Sequence, residues 1–287
     1  MTKTKSSKFK ENAMRAVFLG AACVSIIAVL LICIFLFANG LPTMAEIGVF
    51  KFLFGTEWAP ENGKYGILPM IIGSIYVTAG AIIIGVPTGV LCAVFMAKFC
   101  PKGLYRFLKP TIDLLAGIPS IVYGFVALSV VVPIIRNFGG TGQNIITASL
   151  LLGIMILPTI TSVTESSLRA VPDSYYEGAL ALGATHERSV FKAVLPAAKS
   201  GVLAGIILGV GRAIGETMAV SMIAGNQTVI PSSLTDGVRT LTTHIVIELG
   251  YSEGLHREAL IATSVVLFVF ILIINGCFSA LKRREKQ

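Results

Sequence analysis

Five long uncharged stretches, and a sixth interrupted twice, decide what this chain can become. Residues 16–38, 65–97, 114–135, 137–164 and 259–281 contain no Asp, Glu, Lys or Arg, and residues 200–225 contain only Arg212 and Glu216. A bilayer core about 30 Å thick is crossed by about 20 apolar residues of helix, and every stretch reaches that length. Hydrocarbon offers the backbone no hydrogen-bond partner, so such runs must satisfy their own N–H and C=O groups as helices. Composition agrees: 54% of residues are hydrophobic and 13% charged, against about 25% charged in an average soluble domain. A water-soluble globule of this length would lack the polar surface to cover itself. The expected structure is an all-α polytopic membrane protein with six transmembrane helices at 16–38, about 70–97, 114–135, 144–165, 200–225 and 259–281. The other segments are tails at 1–15 and 282–287 and an outer loop at 39–66. Within a transmembrane domain over 67–281 lie an inner loop at 171–197 and an outer loop at 226–258.

Basic residues orient such a bundle, because Lys and Arg are retained in cytoplasmic loops. The two tails, the loop after the second span and the loop after the fourth hold seventeen of them; the opposite side holds five, Lys51, Lys64, Arg136, Arg239 and Arg257. Both termini are therefore expected in the cytoplasm, in a multi-pass protein of the cell membrane. The formal charge of +8 divides into +10 inside and −2 outside, with Arg212 and Glu216 cancelling in the membrane. A nucleic-acid groove needs basic residues clustered on one solvated face. Here they are spread between apolar runs, so no nucleic-acid partner is expected.

Several smaller signals resolve into packing. The first run is too long for the apolar region of a secretory leader and lacks a small-residue cleavage site, so it is read as a retained span. Cys23, Cys33, Cys92, Cys100 and Cys277 have no CxxC spacing and no neighbouring His, which specifies neither a metal site nor a disulfide framework. They are read as small packing residues. Gly85 and Gly89 stand four residues apart beside Pro87, an arrangement that permits close helix approach and a kink. Residues 238–249 have helical character inside the last outer loop, as a re-entrant or surface helix. The sequon at Asn226 is a pattern that chance supplies freely.

Enzyme signatures are missing. His186, His244 and His256 fall in segments expected to be loops, and there is no HExxH, nucleophile elbow or GxxxxGK[ST] phosphate loop. No catalytic residue and no metal site is expected, and the chain cannot hydrolyse ATP by itself.

Two features remain. In the inner loop, Val171-Pro172-Asp173 suits a helix start, with Pro in the first turn and an acid at the positive dipole end. Gly183 reads as the stop of that helix. Thr185 then caps a second helix with Glu187 in its first turn, with Phe191, Val194 and Leu195 on one side, ending at Pro196. Such a helix pair across the membrane face would present a docking knob, although composition alone favours an ordinary amphipathic surface helix.

The second feature is Arg212 with Glu216. A charge at the centre of a lipid-embedded helix costs about 2.5 to 3.5 kcal/mol, so both side chains should face protein or a water-filled path. At i, i+4 they stack on one face, in the same half of the helix as Gly201, Gly205 and Gly209. A guanidinium offers planar bidentate donors to a tetrahedral oxyanion, and Glu216 would hold it in place. From periodicity alone, a buried ion pair that only fixes helix position is an equal reading.

The inner loop resembles the EAA loop of ABC-importer permeases, whose pattern is E-A-A-x3-G-x9-I-x-L-P. Glu177, Ala179, Gly183, Leu195 and Pro196 match at the family spacing, while Gly178 and Ala193 depart from its Ala and Ile. RAIGETMAV at 212–220, GIPSIVYG at 117–124 and TLTTH at 240–244 are similar to the permeases of the phosphate-specific ABC importer, and to its C-type more than its A-type subunit.

That resemblance covers most of the chain and implies the type I ABC importer permease fold. It implies a second, homologous A-type permease, an ATP-binding subunit dimer that holds the ATP and Mg²⁺, and an extracytoplasmic phosphate-binding protein. No cofactor is expected in this chain. Glu177, Gly178, Ala179 and Gly183, with Leu195 and Pro196, would couple to the ATPase. Arg212 and Glu216 would lie on the phosphate path, with the Ser120 and Tyr123 hydroxyls as neutral donors. The rival readings are a permease for molybdate or sulfate, a stand-alone channel or secondary carrier, and, least favoured, a membrane enzyme.

Overall fold

Helix is the only regular structure that the apolar runs adopt, and six spans result when each of two bent helix pairs counts as one. A computed structural model describes residues 5–137 and 139–284; residues 1–4 and 285–287 of the expected tails lie outside the described residues. Four helices are long and apolar enough to cross a bilayer on their own: α1 (Lys5–Ile47), α3 (Leu68–Val94), α7 (Ile145–Arg169) and α14 (Gly254–Arg284). Helix α3 runs on through a π-helical turn, Phe95–Phe99. Each, with the π-helical turn of α3 included, extends at one or both ends beyond the apolar run that marked it. At the start of α7 the Asn144 side chain accepts from the Thr147 amide and caps the helix.

The outer loop at 39–66 is more ordered than expected. Helix α1 continues to Ile47 and stops at Gly48, whose φ of 93° is a left-handed conformation that favours Gly. A short helix α2 (Val49–Phe54) follows, and then a hairpin of β1 (Trp58–Ala59) and β2 (Lys64–Tyr65).

The third and fifth spans correct the sequence reading. Residues 114–135 are not one helix: Leu114 to Gly117 end α4 (Lys102–Gly117), which meets the helical segment Ser120–Arg136 at 96°. Ile118 precedes Pro119, and the proline ring pushes the residue before it out of the helical region; Ile118 is extended, at φ −68° and ψ 128°. Beyond the break come α5 (Ser120–Val126), a π-helical turn and α6 (Val132–Arg136). Residues 200–225 are likewise two helices. Helix α11 (Lys199–Gly215) ends where Glu216 turns extended, and α12 (Met218–Ile223) begins two residues later. Between the fourth and fifth spans lie α8 (Asp173–Ala181), α9 (His186–Ser189) and α10 (Leu195–Ala197); the last outer segment forms α13 (Leu241–Leu249).

Helix α7 is the centre of the bundle, buried along most of its length and flanked by α3 and α11. Both neighbours approach through glycines. A Cβ at Gly85 would stand 2.6 Å from the Ile156 side chain and 2.8 Å from the Gly153 carbonyl, and one at Gly89 would stand 3.0 Å from Ile160. On α11, Gly205 and Gly209 face Thr164 and Ile160 in the same manner, so the small-residue stripe packs where its periodicity placed it. Helix α1 packs on α14, with Phe37 edge-on to Phe268, and leaves Val17, Phe18, Leu30 and Leu31 exposed for lipid. The cysteines are unpaired and none is fully buried, so they contribute less to packing than expected.

Replacing Gly85 with Leu forces α3 off α7 and should cost about 1 to 3 kcal/mol. The melting temperature of the detergent-solubilised chain should fall. Gly103→Ala, in open space on α4, should not lower it. Equal melting of the Gly85 variant and the parent would show that the α3–α7 contact is not close.

Candidate substrate path and coupling loop

Arg212 lies in the last turn of α11, half-buried, with Nη1 3.5 Å from the Thr159 hydroxyl of α7. The ion pair expected with Glu216 does not form. An i, i+4 pair needs an unbroken helix, and the helix ends at Gly215. Glu216 instead turns toward α12, where its Oε1 accepts from the Ala219 amide at 3.1 Å, satisfying a free donor of the first helical turn. Its carbonyl accepts from the Thr242 hydroxyl of α13 at 3.2 Å. Arg212 therefore has no carboxylate partner among the described residues.

Of the two hydroxyls considered for the path, Ser120 opens α5 and is half-buried. Tyr123 donates to the Leu115 carbonyl at 2.8 Å, across the 117–119 break. Its proton is committed there. Thr159 was missed in the sequence, since a Thr in an apolar run carries no signal until its neighbour is known.

The inner loop folds as read. Helix α8 ends on Gly183 at φ 83°. The Ala184 amide donates to the Ala179 carbonyl at 3.1 Å and the Gly183 amide to Leu180 at 2.8 Å, the paired bonds of a Schellman stop. Thr185 accepts from the Arg188 amide at 3.3 Å to start α9. The Glu187 carboxyl is held below its ordinary value by its own backbone N–H and by the Thr185 hydroxyl. Glu177, Gly178, Gly183 and Pro196 are exposed, Ala179 and Leu195 half-buried, and Leu182 at the tip is 91% exposed. A Cβ at Gly178 would meet open space, so the Ala of the family pattern would also fit.

One detail of the second helix differs. A π-helical turn over Val190–Val194 buries Val190 and Val194 and leaves Phe191 43% exposed. These two valines join Val94, Leu168 and Val202 in a cluster at the inner end of the bundle, while Tyr176 bonds His186 Nδ1 at 2.6 Å. The knob is thus packed at its base and bare at its tip.

All three histidines are helical, two of them in the helices expected after Thr185 and over 238–249. His186 opens α9, His256 lies in α14, and His244 is fully buried in α13. Sequence reading also missed the cluster around Glu248. Its carboxylate accepts from Trp58 Nε1 at 2.8 Å, lies 2.8 Å from His256 Nε2 and pairs with Arg239. Arg239 also donates to the Asn226 carbonyl at 3.2 Å, so β1, the 226–240 segment, α13 and α14 meet on one carboxylate. Burial opposes the Glu248 charge, yet the direct partners His256, Trp58 and Arg239 hold its carboxyl below the ordinary value. Burial pushes His244 down to about 3, so that imidazole is neutral, and its Nε2 has no partner among the described residues. Among those residues no three His, Cys, Asp or Glu side chains are arranged to hold a metal ion.

Comparison with known proteins bears on this geometry. Residues 85–287 match the family described as binding-protein-dependent transport system inner membrane components. The Bacillus subtilis protein named "Probable ABC transporter permease protein YqgH" is 39% identical over 273 residues, 91% of this chain and 88% of the relative. A phosphate transport system permease protein, PstC, of Mesorhizobium japonicum is 34% identical over 265 residues, 85% of this chain and 81% of the relative. Among solved structures, a bacterial alginate ABC transporter in complex with an alginate pentasaccharide-bound periplasmic protein superposes with a TM-score of 0.66 at 16% identity. It covers 96% of both chains, which shows the fold.

Removing the Glu248 carboxylate leaves a nearly buried guanidinium unpaired, at a cost of about 3 to 5 kcal/mol. Amide exchange in α13 of Glu248→Ala should accelerate by roughly 100-fold or more. Because the folded-state value is lowered, this stabilisation is present above the ordinary carboxylate range and is lost as pH falls through the lowered value. A Glu248→Gln variant should flatten the acid side of the melting profile; an unchanged profile would remove Glu248 from the account.

Proposed function

The chain belongs to the family of binding-protein-dependent transport system inner membrane components, and from that premise we propose that it is the permease subunit of an ATP-driven importer of inorganic phosphate. Its sequence relation to phosphate-system permeases over most of its length supports the substrate. The observation that carries the mechanism is Arg212, a guanidinium within a span that no carboxylate neutralises among the described residues. A cation kept in a span at a cost of about 2.5 to 3.5 kcal/mol is available to an oxyanion, to which it offers two parallel donors.

The subunit works as half of a pore with a homologous A-type permease. An extracytoplasmic phosphate-binding protein delivers the anion to the outer side. A cytoplasmic dimer of ATP-binding subunits, holding ATP and Mg²⁺, grips the knob from Glu177 to Pro196. Its closing and reopening moves the inner ends of the spans, and alternating access follows. The excess of seventeen basic residues over five supports this orientation, with both termini and the knob in the cytoplasm. The side chains named for the path are Arg212 and Glu216. Glu216 acts there by fixing the start of α12, and the helix break it occupies is where the path can open.

Two experiments test this. In membranes depleted of other phosphate systems, Arg212→Gln should lower phosphate uptake by about 10- to 100-fold, the loss of a charge-assisted bond worth about 1.5 to 3 kcal/mol, while the complex still assembles. Undiminished uptake would end the role of Arg212, and stronger competition by molybdate or sulfate than by phosphate would reassign the substrate. Gly183→Val places a branched side chain in a left-handed conformation at a cost of about 1 to 2 kcal/mol and reshapes the knob. ATP hydrolysis should then lose its dependence on transport; coupling that persists would move the docking site elsewhere.

A further inference from the structure

The inner end of the bundle holds a second buried carboxylate whose partners the path and the knob leave unexplained. Glu165 of α7 has a side chain only 3% exposed. Its Oε1 accepts from the Tyr105 hydroxyl and from Arg169 Nε, both at 2.7 Å, and its Oε2 faces Lys109 Nζ at 3.4 Å. Lys109 also reaches the Ser162 hydroxyl at 3.3 Å and Asp113 at 3.2 Å. Arg169 donates to the Met96 carbonyl at 3.0 Å and lies 4.5 Å from the Tyr105 ring centre. One carboxylate thus gathers α4, α7 and the end of the second span.

Two further facts give the cluster a direction. Helix α4 contains no buried residue, so apolar packing does little to fix it, and its polar contacts with Glu165 are its firmest tie to α7. At its far end the Leu115 carbonyl receives the Tyr123 hydroxyl across the break, and α5, which carries Tyr123, packs on α12. At the other side, Arg169 closes α7 only four residues before α8 opens at Asp173. A chain of contacts therefore runs from the base of the knob through Arg169, Glu165 and Tyr105 along α4 to Tyr123 of α5, a helix packed on α12 just past Arg212, where a Cβ at Gly124 would stand 2.9 Å from Ala219. Buried polar clusters of this kind take few discrete arrangements, the property an element needs if it is to pass on a movement.

We propose that Glu165 is a positioning residue that ties movement of the knob to the Arg212 region through α4. This rests on the reading of the knob and of Arg212 given above. The experiment uses the whole importer, with both permeases, the ATPase dimer and the binding protein, in liposomes loaded with ATP. Phosphate uptake and ATP hydrolysis are measured together. Glu165→Gln should lower the phosphate moved per ATP by about tenfold, within the range of coupling between two sites. Tyr105→Phe, which removes one hydroxyl and leaves the ion pairs, should lower the same ratio by a smaller factor. A role limited to stability would lower uptake and hydrolysis in proportion and leave the ratio unchanged, and that result overturns the proposal. If Glu165→Gln fails to assemble, the ratio in Tyr105→Phe decides. If the parent complex carries no phosphate, the substrate assignment fails by itself, and the ratio is read with the anion it does carry.

Discussion

The near-contact of three backbones governs this molecule. In lipid, apolar side chains gain little by leaving their surroundings, so helices associate through close van der Waals fit and hydrogen bonds rather than by escape from water. Glycines on α3 and α11 let both helices settle against α7 at distances no side chain would permit. Helix α7 then serves as the fixed reference for chemistry at two depths. Thr159, near its middle, meets Arg212, and Glu165, near its C-terminal end, gathers the Tyr105, Lys109 and Arg169 cluster. Both depend on a helix that is itself almost wholly enclosed.

Against this rigid centre the third and fifth spans are broken, and the two breaks lie near one another through α5 and α12. Each frees backbone groups that hydrocarbon could not satisfy, and each is answered by a side chain. The Tyr123 hydroxyl takes the Leu115 carbonyl, while Thr242 and Glu216 tend the start of α12. Irregular backbone at membrane depth is tolerated where protein or a water-filled cavity covers it. Its presence beside an uncompensated guanidinium fits a route for a hydrated anion better than it fits a purely structural ion pair.

The legible part of the sequence was whatever depends on neighbours in the chain. Apolar run length located the first, second, fourth and sixth spans, and Pro172, Gly183 and Thr185 set the stops and starts of the knob because each acts on the backbone next to it. What could not be read depends on residues far away. Glu216 looked like half of an ion pair because i, i+4 spacing presumes an unbroken helix. The proline of GIPS was present at the third-span break, but the uncharged run across it was the stronger pattern and hid it. The helix carrying His244 and Glu248 was legible, but their burial was not, because their partners, Trp58 and Arg239, stand on other segments. Glu165 offered only a charge at the end of a span, where solvent is the ordinary expectation.

The packing of α1 against α14 has a bearing on how the protein is made. Helix α1 leans on α14, and the carboxylate clamp joins Trp58 of the hairpin to Glu248, 190 residues on, and through it to His256. Neither pairing can form until the residues as far as α14 have been synthesised. Helices α3 and α7 lie closer together along the chain, so the glycine-lined contact between them depends on neither the hairpin nor α14 being made.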